Sequence, residues 1–300
     1  MMHAEPSADR ALDWLVGHLD LFNPMDGNVE IQRSRLKPLT ELALLLTCMS
    51  MRETWQGDRR VSVVGNLIAR THVSEDMRSY LIRHSDAFVP HVLRAISLKQ
   101  IAMIDWDDEQ VLLQRLLGCS NVLFTERLPF QELELRYALE GAGLVHSQPS
   151  VATLFRRTIA SHLCPTVYMT EYDAYTLTHA IFYATSFGHE PLSIAAIQRQ
   201  RLEVALRDLL DIYLYVGQWD LVAELLFACC CLAAKDSRQY REALIALGAL
   251  QGADGSMPGP ATARPLMENR GEQLRERFFD WSYHTTIVAA MLALTSDARF

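Results

Sequence analysis

No apolar run in this chain is long enough to cross a bilayer. The longest, Leu42 to Leu46 and Leu225 to Ala234, fall well short of the roughly 20 residues a helical span needs. Basic residues are also too few to meet a phosphate backbone. Twenty-eight Lys and Arg stand against 36 Asp and Glu, a net charge of −8, which argues against nucleic acid as a partner. The short basic clusters Gln32 to Lys37 and Arg156–Arg157 read instead as solvated helix faces. The N-terminus lacks a basic region followed by an apolar core, so no export signal is expected and the cytoplasm is the expected location. There are six cysteines, Cys48, Cys119, Cys164 and the consecutive Cys229, Cys230 and Cys231. The last three point in different directions around a helix, so neither a disulfide framework nor a shared metal site is expected. A glycine-rich strand-to-helix turn is missing too, and with it any nucleotide-cofactor fingerprint. Gly-x-Ser-x-Gly, Cys-x-x-Cys, His-x-x-x-His and His-Glu-x-x-His are absent, and the closest Cys–His approach is His162–Leu163–Cys164.

What fills the chain is helical periodicity. Hydrophobic residues make up 50% of it, enough to bury a sizeable core. The spacing predicts a single all-α domain over residues 1–300, built of about twelve helices. These run over Ala8 to Phe22, Leu39 to Met51, Val61 to Ala69, Ser74 to His84, Pro90 to Ile101, Asp107 to Leu117, Pro129 to Gly141 and Pro149 to His162. The series continues over Glu171 to Gly188, Leu192 to Val216, Asp220 to Ala234, Ser237 to Leu250 and Asp280 to Leu294. Extended character is confined to Asn121 to Thr125 and Thr166 to Met169. An irregular Gly/Pro-rich loop is expected at 252–270, where little apolar side chain is available to bury and mobility follows. Short loops imply antiparallel neighbours, which close as an α/α toroid or open as a helical-repeat superhelix. No repeat of constant period emerges. One turn, Gly217–Gln218–Trp219–Asp220, is locally like a tetratricopeptide turn.

The segment Asp254–Gly255–Ser256–Met257–Pro258–Gly259, followed by a helix that contains His284, resembles the Asp-Gly-Ser loops of terpenoid-cyclase and protein-prenyltransferase type α/α toroids. The glutamine and tryptophan companions of that repeat are missing. The resemblance implies a toroid whose inner helices present catalytic groups to a central cavity. The Asp, Cys and His that hold zinc in the prenyltransferases have no residue-by-residue counterpart here. Asp105–Trp106–Asp107–Asp108 matches the Asp-x-Asp-Asp motif of class II terpene cyclases, whose chemistry needs a carboxylic acid kept protonated. A helix N-terminus with its acids placed along the dipole accounts for the same residues.

The polar chemistry concentrates between Glu171 and Gly188. Tyr172, Tyr175, His179, Phe182, Tyr183 and Ser186 recur at helical spacing, so one face gathers an imidazole, phenols and a hydroxyl beside apolar packing positions. Such a face is either a core helix with satisfied polar groups or the wall of a pocket. His284, in Trp281–Ser282–Tyr283–His284–Thr285–Thr286, is a second imidazole in a strongly apolar helix. Together they predict an enzyme in which His179 and His284 face a common cavity, as an acid–base pair or as ligands of one metal. Tyr175, Tyr183, Glu171 and Asp173 would stand in support. The substrate would be a small or medium organic molecule, the reaction an elimination, isomerisation or cyclisation, and a divalent metal is compatible with the residue set. The other reading is a helical-repeat interaction module whose groove takes a partner peptide. His84 and His91 flank Asp86 at a helix end and a helix start, which predicts surface or capping roles. Nothing in the sequence sets an oligomeric state.

Overall fold

The computed structural model describes residues 5–25, 31–55, 57–261 and 271–296. It is all-helical, 72% helix with no strand among the described residues, in keeping with the periodicity. Thirteen α-helices follow one another: α1 Ala8–Gly17, α2 Arg33–Ser50, α3 Arg59–His72, α4 Glu75–Arg83, α5 Phe88–Gln100, α6 Trp106–Cys119, α7 Pro129–Gly141, α8 Val151–Phe155, α9 Glu171–Ala184, α10 Ala196–Val216, α11 Trp219–Cys231, α12 Arg238–Ala249 and α13 Glu272–Ser296. The two segments with extended character form short 3-10 turns instead, at Val122–Phe124 and Thr166–Tyr168. Pro149 to His162 is likewise broken into α8 and a 3-10 turn at Ile159–Ser161.

Helix starts follow local chemistry. Side chains of Asp58, Ser74, Ser150 and Ser237 accept from backbone N–H groups in the first turns of α3, α4, α8 and α12, which satisfies donors the helix itself cannot. Asp105 does the same for α6, taking the N–H of Asp108 at 3.4 Å, with Asp107 and Asp108 in the first turn. The Asp-rich segment is thus built as a helix cap.

The chain divides into two compact units: Met1–Leu15 with Pro129–Leu133 and Pro149–Phe300, and Val16–Leu128 with Glu134–Gln148. In the second unit, Phe88, Val92, Leu93 and Ile96 of α5 pack with Met77 and Leu81 of α4, Leu113 and Leu117 of α6, and Leu135 and Leu139 of α7. In the first unit α11 is the buried helix. Its residues Leu221 to Cys229 are all buried, because WDLVAELLFACCC is apolar around nearly its whole circumference. Helices α9, α10, α12 and α13 all lie against it.

The Gly/Pro-rich loop departs from expectation over its described half. Gly252 N–H donates to Ser256 O at 2.8 Å, Asp254 Oδ1 takes both the N–H and hydroxyl of Ser256, and the N–H of fully buried Met257 donates to Thr286 Oγ1 at 2.9 Å. Gly255 sits at φ +97°, and a Cβ there would fall 2.0 Å from the Arg10 carbonyl oxygen. Glycine therefore serves close packing at this position rather than looseness. The remainder, residues 262–270, lies outside the described residues.

Candidate active site

Three helices of the first unit meet at one carboxylate. On α9, Tyr175, Thr178 and His179 stand at i, i+3 and i+4 and so share a face. On α11, Asp220 and Glu224 stand one turn apart, and α13 contributes His284. Glu224 is 1% exposed. Its Oε1 accepts from His284 Nε2 at 2.9 Å, and its Oε2 accepts from the Thr178 hydroxyl at 2.5 Å. His179 Nδ1 lies 3.6 Å from Oε2 and donates to the Tyr175 carbonyl, one turn back, at 2.8 Å. That bond places the proton on Nδ1 and leaves Nε2 as an acceptor in the neutral ring. The two imidazoles are themselves reachable, His179 being 32% and His284 21% exposed.

The electrostatics follow from burial and its compensation. Burial works to raise the Glu224 pKa, but His179, His284 and Thr178 outweigh it and hold the carboxyl below its usual range. Asp220 is shifted the other way. Burial raises its pKa, only partly offset by the Tyr175 hydroxyl and His284. Tyr175 donates its phenol to Asp220 Oδ2, while Asp220 Oδ1 is buried without a hydrogen-bond partner. Burial, and then the Asp220 charge, push the Tyr175 phenol far above its ordinary value. The phenol is therefore fixed as a donor. Two carboxyl groups one turn apart thus have pKa values displaced in opposite directions, an arrangement common where acid and base roles are divided.

The other expected residues take different places. Asp173 closes a capping box with Thr170, its Oδ2 accepting from the Thr170 N–H and hydroxyl at 2.8 Å each. Glu171 is exposed and accepts from Gln218 Nε2 at 2.6 Å. Tyr183 is buried, its ring 6.4 Å from His179 and edge-on to Phe187 at 5.6 Å, so it packs the site from the side. Tyr172 is an exposed residue. His162 donates to the Arg156 carbonyl at 2.8 Å.

Glu224, Asp220 and Thr178 were not legible as site residues. Glu224 had a signal: it is the lone charge within the eleven residues Leu221 to Cys231, and a charge in such a setting must be paired. Asp220 and Glu224 at i and i+4 on an otherwise apolar helix complete that signal.

The fold and this site define an all-α protein with a buried carboxylate tying together two accessible imidazoles. The chain belongs to the DUF6895 family, a domain of unknown function whose model matches residues 8–294. No curated protein and no solved structure matches it.

Proposed function

We propose that this protein is an enzyme that performs acid–base chemistry on a small or medium organic substrate at His179, Glu224 and His284. The observation that carries the reading is the sharing of one buried carboxylate by two partly exposed imidazoles from different helices. Glu224 fixes the tautomer of His284 and the Tyr175 carbonyl that of His179, while the carboxylate beside both rings stabilises the imidazolium that forms on proton uptake. His179, with Nε2 as acceptor, suits proton abstraction. His284, whose Nε2–H is held by Glu224, can return a proton from Nδ1 of its imidazolium form, and Tyr175 adds a fixed polar group beside them. Elimination, isomerisation and cyclisation each need such a pair and no nucleotide cofactor. Six cysteines present as thiols fit a reducing, cytoplasmic setting.

The test is a turnover screen of small organic substrates with wild type, His179→Ala and His284→Ala. Each histidine variant is expected to lose activity by about a hundredfold or more while its melting temperature stays close to wild type. Full turnover in either variant would refute the assignment.

A partner-binding role is the second reading, favoured by one specific feature. Helix α10 leaves Ile197, Val204, Ile212, Tyr215 and Val216 exposed, more apolar surface than a single helix ordinarily shows to water.

A further inference from the structure

Three side chains buried in the second unit converge on one point. His72 closes α3, His91 lies in the first turn of α5 and Glu109 in the first turn of α6. The Nε2 atoms of both histidines stand 3.0 Å from the same oxygen, Glu109 Oε1. The two rings stack at 3.9 Å between centroids, 24° from parallel. The three side chains are 0%, 1% and 3% exposed, and one ligating atom from each lies within 4.8 Å of the others. This overturns the surface or capping role expected for His91. Asp86 is exposed, and Glu109 is the carboxylate that meets the ring. His84 stacks instead on Tyr80 at 4.2 Å.

We propose that His72, His91 and Glu109 bind one divalent first-row metal ion, zinc by the match of its preferred donors, which ties the ends of α3, α5 and α6 together. Two imidazoles and a carboxylate are a recognised zinc donor set. With ligand bonds of about 2.0–2.2 Å at tetrahedral angles, a nitrogen and an oxygen on one zinc stand roughly 3.3–3.6 Å apart. The observed separations of 3.0 Å are shorter than that, so the ligands must spread and the stacked rings must turn for both Nε2 lone pairs to meet one ion. Both Nδ1 atoms are buried without a hydrogen-bond partner. Ligation through Nε2 moves each ring proton to Nδ1, so metal bonds replace the two hydrogen bonds to Glu109 and each buried Nδ1 becomes an N–H donor. Arg94, a buried cation near the two rings, gives Nη1 to Thr40 at 2.8 Å and Nη2 to the Met77 sulfur at 3.7 Å, and its Nε has no hydrogen-bond partner. Complete burial makes the role structural rather than catalytic.

The experiment is elemental analysis of the full chain purified without chelator or metal-affinity resin, alongside His91→Gln, Glu109→Gln and, as a control outside this unit, His179→Ala. Wild type and His179→Ala are expected to carry close to one zinc per chain, and the two ligand variants background amounts. Should those variants fail to fold, the wild type alone decides. Stripped with chelator, it should melt lower, recover on added zinc, and show tetrahedral cobalt absorption when cobalt replaces zinc. Wild type that holds no metal and does not respond to added zinc or cobalt overturns the proposal. Undiminished metal in folded Glu109→Gln does so too. Neither result bears on His179 and His284.

Discussion

At the residue scale the protein is defined by carboxylates set where water cannot reach them. Asp220 shows the consequence most simply. A carboxyl whose folded pKa is raised contributes stability that is fully present below its unfolded value, near 3.8. That contribution is lost as pH rises through the folded pKa. At neutral pH the wild type therefore bears the cost of a buried, half-satisfied acid. Asp220→Asn keeps an acceptor for the Tyr175 phenol and removes the charge, so it should melt higher at pH 7, by on the order of 1 kcal/mol. Its advantage should vanish below about pH 4. Melting curves across that range check this, and an Asn variant less stable at every pH would show that the charge itself supports the fold. Glu224 has the opposite sign: its stabilisation is present above the ordinary carboxyl range and fades on acidification. These opposite shifts were invisible in sequence. Both acids sit on a helix whose apolar run signalled burial, but their partners lie 45 and 60 residues away.

At the scale of elements, α9 carries two separable kinds of polar residue. Its start is held by the reciprocal Thr170–Asp173 box, and its second and third turns deliver Thr178 and His179 to α11. Thr170→Ala should cost about 1 kcal/mol through loss of the cap and leave turnover unchanged once folded. A loss of activity at full stability would return the start of α9 to the site. The helices themselves were legible because 3.6-residue periodicity and Ser, Asp or Thr caps are local signals. The loop 252–261 was not. Its glycines and prolines do rule out a helix, but its order comes from Met257 donating to Thr286 and from Gly255 packing on Arg10, contacts that composition cannot reveal. His72, His91 and Glu109 were hidden for the same reason. They are separated by 19 and 18 residues, and Glu109 is disguised by the acidic start of α6.

At the scale of the whole molecule, the thirteen helices of the described residues bring groups far apart in sequence to Glu224 in one compact unit and Glu109 in the other. His179 and His284 were recognisable as imidazoles in apolar helices, and their joining through Glu224 is the central claim. Long-range proton–nitrogen correlation of the imidazoles in the full chain, at mildly alkaline pH, tests it without knowledge of any substrate. The account predicts the proton of His179 on Nδ1 and that of His284 on Nε2, with both ring signals displaced in Glu224→Gln. Ring signals of His179 and His284 that are unchanged by that substitution would contradict it.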